Sequence, residues 1–309
     1  MLHLRVTVPS DRAGEIVERL QDWPGVAHVA HLVGASTRPP GDLVLCDLAR
    51  EAADDVVEWL QDHGVHRDGA IALDSVETVV SDAAAAAEAE VPGHGTDALV
   101  WEELEARARD QAALTPSFLV LMAVATMIAG IAILLDSPIL IVGAMVVGPE
   151  YGPLSALCVA ATRGRWRSAG TAATTLLVAV VVGAVTTFAL TEILRATGIA
   201  PDGYDLTARQ LTSFISRPDG LAAVVAVLAG VAGMLSLTEG RSGTLVGVLV
   251  SVTTIPAIAN IGVAAAYGEM PEVRGAALQL TVNLAGLVFA GVGTLWVQSR
   301  LVERRRAGG

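Results

Sequence analysis

The residues able to do chemistry are gathered in one apolar stretch, Ser137 to Ala161, whose middle reads Gly148-Pro149-Glu150-Tyr151-Gly152-Pro153. The stretch is long enough to cross a bilayer, for which roughly 20 apolar residues suffice. Two prolines without amide donors and two glycines argue against a plain helix through its centre, so the spacing predicts a break near the midplane. Broken backbone at that depth is tolerated only where protein or a polar cavity surrounds it. Glu150 lies inside the break, and an intramembrane carboxyl marks a functional site by default. The plainer alternative is a kinked structural helix whose Glu150 pairs with a neighbour.

The pattern returns 104 residues further on. Gly143-Ala144-Met145-Val146-Val147 matches Gly247-Val248-Leu249-Val250-Ser251, Pro153 falls near Pro256, and Gly164 matches Gly268. The second break is Thr253-Thr254-Ile255-Pro256, with Thr254 as the counterpart of Glu150. Each unit holds three apolar segments, and an odd count makes successive units enter from opposite sides, as in transporters whose paired broken helices meet around a substrate or ion. The substrate or ion site is therefore expected at Gly148, Pro149, Glu150, Gly152 and Pro153 with Thr253, Thr254 and Pro256, and with Asn260 and Asn283 as further polar groups of the second unit. Half-helix N-termini near Pro153 and Pro256 favour an anion, whereas an ionised Glu150 favours a cation or a proton. No nucleophile stands beside a base and no phosphate loop or cofactor motif occurs, so the expectation is a protein that is not an enzyme.

The elements that position these residues are six apolar segments: Ser117–Leu135, Pro138–Ala161, Ala169–Leu194, Leu221–Leu237, Thr244–Tyr267 and Ala276–Ser299. The chain is 53% hydrophobic over 309 residues, beyond the usual composition of soluble domains. Arg163, Arg165, Arg167, Arg241, Arg300, Arg304, Arg305 and Arg306 fall on one side of these segments, against Arg195, Arg209, Arg217 and Arg274 on the other. By the positive-inside rule both termini then face the cytoplasm of a bacterial inner membrane. The outer connection, Arg195 to Gly220, includes an amphipathic-looking run from Tyr204 to Ile215 that reads as lying along the interface.

Ahead of the membrane part, residues 1–116 carry 22 acids and 8 arginines, against 10 and 12 in the remainder. Such an acidic front part has no face for nucleic acid or for anionic lipid. The opening MLHLRVTVPSD lacks a basic leader and an apolar core and reads as no signal peptide. Alternation and turn residues predict a strand over Leu2–Val8, a helix to Gln21, strands over Val26–Val33 and Leu43–Leu48, a helix over Glu51–His63 and a strand over Ala70–Val76. That βαββαβ order is the split βαβ arrangement of ferredoxin-like domains, here spanning 1–80 and akin to ACT-type small-ligand sensors. His28/His31 and His63/His66 are tempting metal pairs. Residues three apart on a strand point to opposite faces, and no cysteine cluster completes a site, so no metal is expected.

Ser81 to Gly95 reads as an Ala-rich linker. Thr96 or Asp97 then starts a coupling helix with a Val100, Trp101, Leu104 and Ala108 stripe and i,i+4 pairs Glu103/Arg107 and Glu105/Arg109. Residues 303–309 form a basic tail. The front domain is expected to act as a regulatory or assembly module in a homo-oligomer, because such sheets pair by their edges.

The motif GAMVVGPEYGPLSAL with its Gly-Arg-Trp-Arg loop, TLVGVLVSVTTIPAIANIGVA, and the later Asn283 resemble the membrane family known as domain of unknown function 389, over about Pro116 to Val297. The resemblance implies a bacterial or archaeal membrane protein, often with a cytoplasmic segment like this front domain, and names no substrate. Usual members carry Ala-Pro followed by apolar residues where this chain has Gly148-Pro149-Glu150-Tyr151, so a role for Glu150 need not belong to the whole family. The resulting fold class is an α-helical polytopic membrane protein of six crossings in two inverted three-helix repeats, plus an α+β ferredoxin-like domain. Its first functional reading is a carrier for a small solute or ion, with a channel or a ligand-binding membrane sensor as alternatives.

Overall fold

A computed structural model describes residues 1–76, 78–91, 101–201, 203, 215, 220–238 and 254–308. The chain divides into two compact units, Met1–Leu104 with Gln298–Gly309, and Glu105–Val297.

The first unit is built on a four-stranded antiparallel sheet. Strands β1 (Leu2–Val8), β2 (Val26–Thr37), β3 (Pro40–Leu48) and β4 (Ala70–Ser75) lie in the order β2-β3-β1-β4. Alternation puts Leu2, Leu4, Val6 and Val8 of β1 into the core with Val44, Cys46 and Leu48 of β3. Helices α1 (Ser10–Gln21) and α2 (Arg50–Asp62) bury Ala13, Ile16 and Leu20, and Ala52, Ala53, Val56 and Leu60, in the same core. A short helix α3 (Val65–Asp68) follows Gly64, which takes φ +72° at the turn. This is the split βαβ order expected from the sequence.

β2 is an edge strand, and Cys46 of β3 faces the core. Two details differ from the sequence reading. β2 runs on to Thr37, so the hairpin turn falls at Arg38-Pro39 and Pro40 opens β3. The Ala-rich run is a helix, α4 (Asp82–Glu90), capped by Ser81, whose hydroxyl accepts from the Ala84 amide, and it buries Ala84 and Ala87. Alanine has the highest helix propensity, which explains a helix with almost no amphipathic period. Val91 packs against the domain core and Glu90 accepts from the Gly25 amide, so α4 is attached to the first unit, while residues 92–95 of the expected linker lie outside the described residues.

The start expected for the coupling helix at Thr96 or Asp97, and Val100, lie outside the described residues. The helix is described as α5 (Trp101–Gln111), with Trp101, Leu104 and Ala108 buried as its stripe predicts. Its acids reach other elements: Glu103 accepts from Arg50 at 2.9 Å, and Glu105 pairs with Arg163 and Arg165.

The second unit consists of apolar helices. Among the described residues, four helices are long and apolar enough to cross a membrane: α6 (Pro116–Leu134), α9 (Trp166–Ala196), α10 (Gly220–Thr238) and α12 (Met270–Gly308, apolar to Leu301). A bent pair, α7 (Pro138–Val147) and α8 (Tyr151–Thr162), makes a fifth if counted as one span. Such helices define a membrane protein. Of the expected fifth segment, α11 (Thr254–Tyr267) is described, whereas 244–253 lies outside the described residues. So do Arg241, Thr253, the Gly247–Ser251 match, and Tyr204 and the rest of its amphipathic run up to Ile215. α12 is continuous through the region read as a tail.

Boundaries recur at the interval seen in the sequence. Met270, the start of α12, follows Trp166, the start of α9, by 104 residues. The caps match too. Gly164 (φ +66°) closes α8 with Arg165 N–H donating to the Ala160 carbonyl at 2.8 Å, and Gly268 (φ +76°) closes α11 with Glu269 N–H donating to Ala264 at 2.9 Å. Both are left-handed glycine caps of the Schellman type.

Candidate functional site: the broken helix at Glu150

The break falls where the prolines and glycines place it. α7 ends at Val147, α8 starts at Tyr151, and the two halves bend by 57°. Pro153 does not start the second half. It sits in the first turn of α8, where a missing amide costs no helical hydrogen bond, and Pro256 falls in the first described turn of α11.

Glu150 occupies the N-cap position of α8, and its side chain is buried at 4% exposure. Thr254, the first residue of α11 and also buried, donates its hydroxyl to Glu150 Oε1 at 2.9 Å. Oε2 has no hydrogen-bond partner among the described residues. It lies over Gly148, where a Cβ would come within 2.3 Å of it and within 2.7 Å of Ile255, so the absence of a side chain at 148 makes room for the carboxyl. Gly152 is equally confined: its missing Cβ would fall 2.3 Å from the Gln111 carbonyl oxygen at the end of α5. Tyr151 ties the same turn to α10 by donating to the Gly233 carbonyl at 2.5 Å.

The site is enclosed because α11 is buried on nearly every side. Ile255 to Asn260 and Gly262 to Ala264 are all inaccessible, and Gly262 packs directly on the Ala184 carbonyl of α9. A helix that is apolar all round belongs in a core. The structure thus joins Glu150, Thr254, Gly148 and Ile255. Asn260 stands six residues, about 9 Å, along α11 from Thr254. Asn283 accepts from Gln279 at 3.1 Å on α12, where both are buried. Thr253 lies outside the described residues.

Sequence reasoning missed Tyr151 as a tie and Ile255 and Gln111 as walls. Gln279, a buried amide in an apolar helix, was readable as a polar outlier. Chemically, a buried carboxyl with one oxygen held by a hydroxyl and the other without a described partner can take a proton or a cation, or donate to a ligand acceptor once protonated.

In the first unit the histidines divide between two aspartates. His3 Nδ1 lies 2.7 Å and His28 Nδ1 3.2 Å from the two oxygens of Asp47, while His31 Nε2 lies 2.6 Å from Asp42. His28 and His31 therefore serve different carboxylates, as their spacing on the strand predicts.

Residues 145–289 match the family described as a domain of unknown function, DUF389, so the resemblance carried by the two break motifs is borne out. An uncharacterized protein of the archaeon Methanocaldococcus jannaschii is 24% identical over 194 residues, which is 63% of this chain. The matched region spans 58% of that relative's length. No solved structure matches the chain.

Proposed function

We propose that the protein is a carrier for a small solute or ion in a bacterial inner membrane, with six crossings arranged as two inverted three-helix repeats and both termini in the cytoplasm. The observation that carries this reading is the 2.9 Å bond between Thr254 and Glu150, which stand 104 residues apart. Equivalent positions of two repeats touch each other when they lie beside a two-fold axis, and in inverted-repeat transporters the paired breaks at that axis hold the cargo. The matched starts of α9 and α12 and the paired Gly164 and Gly268 caps support the repeat. The arginine distribution supports the orientation.

The front domain is read as a regulatory or assembly module. Its edge strand β2 leaves Leu32 and Val33 exposed, at 45% and 76%, which suits pairing with a second copy of the chain.

The test is proton flux. The purified full-length chain in liposomes carrying an entrapped pH dye should dissipate an imposed pH gradient, and Glu150→Gln should slow this at least tenfold while keeping the fold. A Gln variant that conducts as the wild type does would remove Glu150 from the transport site.

A further inference from the structure

A cavity of about 340 Å³ opens within the second unit between α5, α8 and α9, away from Glu150. That volume lies at the lower end of small-ligand pockets, about 300–1,000 Å³. Its two ends differ. One end carries Arg109 of α5 and Arg165 before α9, together with Glu105. The single acid there is already paired with both Arg163 and Arg165, so the charged end keeps a net positive character. Val159 and Ala160, in the last turn of α8, belong to this end, since the Arg165 amide donates to the Ala160 carbonyl, and the other end is walled by Ala156 of α8 and by Ala172 and Thr175 of α9.

The level in the bilayer follows from the sequence around the charged end. Trp166, 74% exposed, stands between Arg165 and Arg167 at the start of a 31-residue apolar helix, which is where aromatic and basic residues mark the headgroup layer. Thr175 is ten residues beyond Arg165, about 15 Å deeper along the helix. The cavity therefore runs from headgroup level into the hydrocarbon, cationic at the surface and apolar below. Basic pockets between membrane helices hold anionic lipid headgroups.

We infer that this cavity binds an anionic phospholipid of the surrounding leaflet, its phosphate on Arg109 and Arg165 and one acyl chain running from Val159 and Ala160 past Ala156 and Ala172. The site rests on the bilayer reading and not on transport.

The experiment uses the purified full-length chain in a neutral detergent, mixed with equal amounts of dioleoyl phosphatidylglycerol and dioleoyl phosphatidylcholine, with retained lipid measured by native mass spectrometry. Phosphatidylglycerol should be retained several-fold over phosphatidylcholine. Arg109→Gln, at an exposed position, should lower that preference several-fold, and Ala113→Trp, at an exposed lining position, should lower retention of both lipids. Excess glycerol 3-phosphate should displace little, because it lacks the chain. Equal retention of the two lipids by the wild type, an unchanged preference in Arg109→Gln, or full displacement by glycerol 3-phosphate would each overturn the lipid site.

Discussion

The Thr254 hydroxyl donates to the Glu150 carboxylate at 2.9 Å across 104 residues of chain. The hydrogen bond joins the break between α7 and α8 to the first described turn of α11, so whatever alters one is felt at the other. Removing the donor leaves a buried carboxyl with neither oxygen satisfied among the described residues, a loss of about 1–3 kcal/mol. Thr254→Val should therefore lower the thermal midpoint of the full chain in detergent clearly more than Thr254→Ser, which keeps the hydroxyl. Equal midpoints for the two variants would mean that the bond contributes nothing.

The glycines around the break should rank by what their missing Cβ would meet. At Gly152 the obstacle is the Gln111 backbone carbonyl, which cannot step aside. At Gly148 it is the ends of the Glu150 and Ile255 side chains, and at Gly143, inside α7, nothing lies within 4 Å. Alanine at 152 should cost the most, within or above the about 1–3 kcal/mol usual for overpacking. Alanine at 148 should cost less. Alanine at 143 should be neutral or stabilise by up to about 1 kcal/mol through helix propensity. Thermal unfolding of the three variants checks the order.

In the front domain the Ser10 hydroxyl, the Gly34 amide and His31 hold Asp42 below the ordinary carboxylate range. A depressed folded pKa gives stability that is present above the unfolded value near 3.8 and is lost as pH falls through the lower folded value. Asp42→Asn should thus unfold this domain more easily at neutral pH, and its deficit should shrink as pH drops below about 4. A deficit that stays constant from pH 7 to pH 3, followed by Trp23 and Trp59 fluorescence, would contradict this.

Burial, reinforced by the neighbouring Asp47, pushes the Cys46 thiol up to about 12. Because the thiolate is the reactive form, maleimide should label Cys46 at pH 8 only as the domain opens, with a rate that rises steeply in denaturant. Immediate labelling of the folded chain, located by peptide mapping, would contradict its place in the core.

Much of this architecture is legible in the order of the residues. The break at Gly148–Pro153 is written in residues that cannot continue a helix, and Thr254 is reachable from the offset alone. The order of elements in the front domain follows from alternation in β1 and β3 and from the turn residues between the segments. What escapes such reading is set by tertiary contact or by missing periodicity. Gly34-Ala35-Ser36-Thr37 extends β2 although nothing alternates there, because an edge strand need bury neither face. The alanines of α4 carry propensity without a stripe. Glu103 bonds Arg50 and Glu105 bonds Arg163 and Arg165, all remote in the chain, and the i,i+4 spacing to Arg107 and Arg109 gives no sign of those ties. The seat of Gly152 on Gln111 has no sequence signal beyond the glycine itself.

Under the inverted repeat proposed above, the meeting of Glu150 with Thr254 also bears on why a protein of this kind would be one chain and not two copies of half a chain. In a dimer of identical halves, a position on the two-fold axis must face itself. A carboxyl there would face a carboxyl, and two such groups in contact cannot both ionise. Covalent fusion lifts that constraint, because each half can then mutate alone. On that reading one half keeps the acid, the other supplies the hydroxyl that holds it, and the axis becomes chemically polar.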